Sequence, residues 1–321
     1  MPDAMIETDG LTRIFGSRKA VGELTFTVGR GETVALLGTN GSGKTTTMRM
    51  LCGYLPPTEG TARVAGFDVL SHSLDVRRAV GYLPEDVPLY KDLTITDSLR
   101  FFGRLRKMDG TRLDPRIDEV VEQVGMSAYR DVLIGKLSKG YRQRAGLAIA
   151  ILHDPPVLIL DEPTASIDPV QAAEIRDLIR SLGGQHTVLL STHQMWEAAE
   201  LCGRAVVLRE GALVADGPIA EIGAMDTSER RIALEVQGGA KHAAASLLRE
   251  MATVVTVEDA AAAWPGVAAF TVTGQGTRLV NDVVVALVRV GIVVVSIAEE
   301  RPGLEKAFLE LARGPGTDTR A

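Results

Sequence analysis

The segment Gly38-Thr39-Asn40-Gly41-Ser42-Gly43-Lys44-Thr45 constrains this chain more than any other, because it satisfies the spacing G-x-x-x-x-G-K-[ST] at every position. The run Thr33–Leu37 before it has strand character, and Thr45–Tyr54 behind it reads as a helix. A strand, a glycine-rich turn and a helix in that order make a phosphate cradle. Glycines let successive backbone N–H groups face an anion, and the helix N-terminus adds partial positive charge. Lys44 supplies a point charge to β- and γ-phosphates, with Thr46 in the same first helical turn, and the Thr45 hydroxyl can serve Mg²⁺. The plain alternative is a glycine-rich turn that matches by accident. The strand and the helix on either side argue against it.

A second apolar strand, Val157–Leu160, runs directly into Asp161 and Glu162. An acid at the carboxyl end of a parallel strand beside a phosphate loop is placed to hold Mg²⁺, which makes Asp161 the metal candidate. Glu162 is the candidate to orient and deprotonate an attacking water. Taken alone, an apolar run ending in Asp-Glu describes many solvated strand ends. The phosphate loop upstream reverses that preference.

The rest of the chain supports an α/β reading. Leu24–Val28, Thr61–Val64 and Thr187–Leu190 read as strands; Ile95–Met126, Arg142–His153, Val170–Leu182 and Trp196–Cys202 read as helical. Short apolar strands alternating with helices predict a parallel sheet covered on both faces. The periodicity breaks near Gly223–Glu229. Beyond it the order is strand Ile232–Val236, helix Lys241–Met251, strands Val254–Val257 and Ala268–Val272, helix Arg278–Val290, strand Ile292–Ile297 and a last helix Leu304–Ala312. That order predicts a small ferredoxin-like α+β module. The expected domains are 1–224, with a helical subdomain over about 86–155, then 225–313, and a disordered tail 314–321.

Composition narrows the function classes. A formal net charge of -6 over 321 residues argues against a partner bound mainly through nucleic-acid phosphates. Cys52 and Cys202 lie far apart without metal-ligand spacing and fit buried thiols of a reduced compartment. The N-terminus has no basic-then-apolar leader pattern, and Val283–Ala298 is too short to span a bilayer. Any membrane role is therefore expected to come through a partner. His72, His153, His186 and His242 show no ligand spacing, Arg142 and Arg144 read as a paired basic face, and Trp196 and Trp264 read as packing residues.

Further segments carry a family resemblance. Leu137-Ser138-Lys139-Gly140-Tyr141-Arg142-Gln143-Arg144 resembles the signature segment of ABC transporter ATPase subunits. Ala165-Ser166-Ile167-Asp168 resembles their D-loop, Ser191-Thr192-His193 their switch-histidine segment, and Gly81-Tyr82-Leu83-Pro84-Glu85 stands in the position of their glutamine loop. Phe15 sits where the family places an aromatic that stacks on adenine. The resemblance spans Met5 to Ile222. Two positions depart from the commonest pattern: Lys139 replaces a glycine, and Glu85 replaces a glutamine. Together with the C-terminal module, these resemble an exporter-type branch.

The resemblance implies a P-loop NTPase cassette that binds ATP and Mg²⁺ and hydrolyses ATP as a head-to-tail dimer. In that arrangement Ser138 and the amides near Lys139 and Gly140 contact the γ-phosphate of the partner's nucleotide. His193 bonds the same phosphate, Asp168 couples the two sites, and Glu85 lies near the metal. The implied partners are a second copy of the cassette and separate membrane permease subunits, at the cytoplasmic face of the membrane. The alternative is a soluble ABC ATPase acting on nucleic acid or ribosomes. Such proteins typically carry two cassettes or a long coiled-coil insertion, whereas this chain has one phosphate loop and no heptad insertion.

Overall fold

The computed structural model describes residues 4–222, 229–262, 264–275 and 279–300, which fall into two compact units divided between Ile222 and Glu229. In the first unit the elements are β1 (Ala4–Phe15), β2 (Arg18–Gly29), β3 (Thr33–Leu37), α1 (Lys44–Leu51), β4 (Glu59–Val64), β5 (Phe67–Asp68), α2 (Ser73–Ala79) and β6 (Val80–Leu83). There follow α3 (Ile95–Leu105), α4 (Gly110–Gln123), α5 (Lys139–Ile151), β7 (Val157–Asp161), α6 (Pro169–Leu182), β8 (Thr187–Thr192), α7 (Met195–Leu201), β9 (Arg204–Arg209), β10 (Ala212–Pro218) and α8 (Ile219–Ile222).

Six strands form the central sheet in the order β10-β9-β3-β8-β7-β6. Every pair is parallel except β9 with β10, which closes one edge as a hairpin. All residues of β7 and β8 are buried, so the apolar runs Val157–Leu160 and Val188–Leu190 are continuous rather than alternating. In register, Leu37 of β3 lies beside Thr192 of β8, and Ser191 lies beside Asp161 of β7. The phosphate loop, the Asp161-Glu162 pair and the Ser191–His193 segment therefore leave the sheet at one carboxyl edge, where open α/β sheets bind ligands.

A second sheet, antiparallel and ordered β2-β1-β4-β5, goes beyond the parallel architecture expected from the sequence. Strand β1 hides its period because its pairing shifts register at several points, with Gly10 at φ 58°. Ile6, Leu11, Val21 and Leu24 of this sheet share one core with Val34 and Leu36 of β3 and with Met48 and Leu51 of α1. That shared core fastens the β1–β2 turn beside the phosphate loop. The expected helical stretch from Ile95 to Met126 is two helices. Lys107, in the left-handed region at φ 58°, breaks it, and the Asp109 side chain restarts it by accepting from the Thr111 N–H.

The second unit contains β11 (Glu229–Gln237), α9 (Lys241–Glu250), β12 (Val254–Ala260), β13 (Val267–Gln275), α10 (Leu279–Arg289) and β14 (Val294–Glu300). Its strands are all antiparallel in the order β12-β13-β11-β14, the split βαβ arrangement of a ferredoxin-like module. Ile232, Leu234 and Phe270 of the sheet share a core with Leu248 of α9 and with Val283 and Leu287 of α10. The expected helix Leu304–Ala312 and tail 314–321 lie outside the described residues. Trp264 is 67% exposed and Trp196 is 45% exposed, so the packing expected of them is not in the core. Trp196 instead stacks under the Arg176 guanidinium, 4.9 Å from its ring.

Candidate functional site

The phosphate loop has a shape that only its glycines permit. Gly43 precedes α1 at φ 102°, and a Cβ there would lie 2.7 Å from the Ala20 carbonyl oxygen. At Gly38 a Cβ would lie 2.2 Å from Ser42 Oγ and 2.6 Å from the Leu208 carbonyl oxygen. No side chain caps the start of α1, which leaves the N–H groups of its first turn to a ligand. Lys44 is only 6% exposed. Its Nζ donates to the carbonyls of Gly38 (2.8 Å) and Thr39 (3.3 Å) and lies 3.4 Å from Glu162 Oε1.

The two acids behind the loop differ in what they are offered. Asp161 is fully buried: its Oδ1 accepts from Ser191 Oγ at 2.7 Å and from Thr45 Oγ1 at 3.2 Å, while its buried Oδ2 has no hydrogen-bond partner. A buried carboxylate oxygen left open beside a threonine hydroxyl fits the donor set of a hard, oxygen-seeking cation. Cys52 and Tyr82 lie behind it. Burial first and the Asp161 charge second raise both of their pKa values, so the wall facing Asp161 stays neutral.

Glu162 adopts φ 47°, an uncommon left-handed conformation for a non-glycine residue, and its N–H donates to Ser191 Oγ at 2.9 Å. Its Oε2 is 2.9 Å from His193 Nδ1, and the side chain opens onto a cavity of about 790 Å³. The lining of that cavity brings together Phe15, Lys44, Thr45, Glu85, Glu162 and His193. It also includes Asn40, Gly41, Gly43 and Thr46 from the loop and first helical turn. Gly38 and Ser42 are buried beneath the loop, and Thr39 is exposed. Phe15 is 46% exposed, and the Arg13 guanidinium rests 4.6 Å from its ring centre. Glu85 is exposed at the wall.

The signature segment does not line this cavity. Ser138 caps α5, accepting from the Tyr141 N–H at 3.3 Å, and its hydroxyl donates to Gln171 Oε1 at 3.2 Å. Leu137 and Gly140 are buried and Lys139 is exposed. Arg142 bonds the Leu137 carbonyl and Arg144 pairs with Glu174, as a paired basic face requires. Asp168 caps α6 by accepting from the Gln171 N–H at 3.1 Å, so the D-loop acid and the signature serine meet on the same glutamine. A single chain therefore presents two separate surfaces, one carrying the phosphate loop and one carrying the signature segment.

Some of the supporting residues had no strong signal in the sequence. Ser191 ties the metal candidate to the backbone of the base candidate. Glu197, 2% exposed within α7, accepts from Thr192 Oγ1 at 2.6 Å and from Thr164, joining the loops after β7 and β8. A glutamate in a helical stretch reads as solvated. Arg18, Gln194, Ala165 and Ser166 also line the cavity.

The family model described as ABC transporter matches residues 21–165. The daunorubicin resistance ATP-binding protein DrrA3 of Streptomyces coeruleorubidus is 35% identical over 321 residues, covering 100% of this chain and 98% of that protein. The Nod factor export ATP-binding protein I of Paraburkholderia xenovorans is 38% identical over 218 residues, which is 68% of this chain and 72% of the relative. Among solved structures, an ATP-binding subunit of an ABC transporter superposes with a TM-score of 0.63 at 27% identity, covering 69% of this chain and 92% of its own.

Proposed function

This chain belongs to the ABC transporter ATP-binding proteins, and on that premise we propose that it hydrolyses ATP to drive export through separate membrane-spanning subunits. The observation that carries the hydrolytic reading is the convergence of Lys44, Glu162 and His193 on one cavity at the sheet's carboxyl edge. Lys44 and the loop amides hold the phosphates, Phe15 offers a ring to the base, and Glu162 takes the proton of the attacking water. His193, on Glu162 Oε2, fixes the carboxylate and reaches the same phosphate. Thr45 and Asp161 would hold Mg²⁺, with Glu85 on the cavity wall beside them. When bound, that ion neutralises charge on the phosphate oxygens.

Two cassettes are required in this reading, because Ser138, Lys139, Gly140 and Tyr141 stand away from the chain's own cavity and must meet a partner's nucleotide. Among the described residues no helix is long and apolar enough to cross a membrane. The proposed place of action is the cytoplasmic face, docked on a permease. A separate groove of about 720 Å³, lined by Tyr54, Val87, Phe102, Leu105 and Arg106, supports that docking. Export rests on the names of the relatives, on Glu85 and on the C-terminal module.

The test is hydrolysis by the purified chain with and without Mg²⁺, followed by affinity capture from detergent-solubilised membranes. Mg²⁺-dependent phosphate release and co-purification of an integral membrane protein are expected. Release that ignores chelation, or capture of ribosomal particles alone, would overturn the reading. We also expect a chain ended after Ala224 to stay soluble and bind ATP, because every cavity residue lies in the first unit. Thermal melting with and without ATP checks this, and a truncated chain that aggregates or shows no ATP shift places the boundary elsewhere.

A further inference from the structure

The cavity contains a cation that the mechanism above does not use. Arg18 opens β2, directly across the Gly16-Ser17 turn from Phe15, and the two residues are backbone partners. Both line the cavity of the phosphate loop. Arg18 Nη2 lies 3.9 Å from the position a Cβ would take at Gly41, in the middle of that loop. Apart from Glu85, which is exposed, the other charged groups of the lining are already engaged. Lys44 holds two carbonyls and faces Glu162, and His193 is bonded to Glu162. Arg18 is exposed and, among the described residues, has no side-chain hydrogen bond or ion pair.

We propose that Arg18 is a second phosphate-binding cation, gripping the terminal phosphates of ATP beside Gly41. The inference rests on the nucleotide-site reading above and adds a residue to it. With Lys44 facing Glu162, the lining without nucleotide is close to electroneutral, whereas an arriving triphosphate brings several negative charges. A free guanidinium at the rim answers that excess. Its planar fork can take two phosphate oxygens in one fixed, bidentate geometry, which the rotating point charge of an ammonium does not impose. Because the side chain is exposed, its contribution is moderate and is screened by salt.

The test is equilibrium binding of ATP and AMP to the full chain, comparing wild type, Arg18→Ala, Arg18→Lys and Arg18→Glu. Arg18→Ala should weaken ATP about tenfold and AMP less than about twofold, the size of one lost charge-assisted contact at an exposed site. Arg18→Lys should fall between, and Arg18→Glu should exceed the alanine change. The difference for ATP should shrink as salt is raised to roughly 0.5 M. Melting without nucleotide should not move, since the side chain has no partner to lose. Alanine and wild-type chains that bind ATP within about twofold of each other would overturn the proposal, as would equal losses for ATP and AMP. Wild-type protein that binds no ATP at all sinks the nucleotide-site reading instead, so the two failures can be told apart.

Discussion

Lys44→Ala is expected to abolish nucleotide binding, and with it all hydrolysis. Lys44 is 6% exposed, and its ammonium is held in the loop by the Gly38 and Thr39 carbonyls. Its loss removes the main side-chain charge on the phosphates and leaves Glu162 Oε1 facing none. A buried charge-assisted contact to a polyanion supports an affinity loss of at least roughly a hundredfold. Arg is no substitute, because its longer, planar head does not fit a site formed around two loop carbonyls. The measurement is thermal melting across an ATP titration. Wild-type protein should gain stability as ATP rises through its Kd, and the alanine chain should show no gain at any accessible concentration. Comparable ATP-induced shifts in both chains would remove the phosphate loop from the site.

How far the sequence foretold this arrangement varies from element to element. The strands β3, β7 and β8 are buried on both faces, so each carries a continuous apolar run, and the residue after each run stands at the sheet's carboxyl edge. Asp161 was therefore found from its strand, Gly38 from the spacing of the phosphate loop, and His193 from the family resemblance of its segment. Strands β6, β9 and β10 are short or lie toward the sheet edges, and β1 carries register shifts, so their periods are weak. The antiparallel sheet built on β1 and β2 was therefore missed, although it delivers Phe15 and Arg18 to the cavity. The Ser191 and Glu197 contacts were out of reach for a different reason. Their partners lie 30 and 33 residues away for Asp161 and Thr164, and only the parallel register of β7 with β8 brings them together. Lys107 shows a different case: a single left-handed residue splits a helical pattern, and the Asp109-Gly110 turn signal just after it was passed over.

Glu162→Gln should separate binding from chemistry in a way that Lys44→Ala cannot. The glutamine keeps the size of the side chain, and its amide oxygen can still accept from His193 Nδ1, so the local geometry survives. The backbone N–H still bonds Ser191 Oγ, which holds the residue at its left-handed φ. What disappears is the ability to take a proton from water, so hydrolysis should fall at least roughly a hundredfold while ATP affinity stays near the wild-type value. One negative charge facing the phosphates also disappears, and this favours closure of two cassettes around two nucleotides. Light scattering after size exclusion should therefore show the monomer mass without ATP and twice that mass with ATP and Mg²⁺. Normal hydrolysis by the variant would show that Glu162 is not the base. An inactive variant that stays monomeric at saturating ATP would mean that Ser138 and Lys139 do not meet the nucleotide of a second copy, and that closure needs a different cassette.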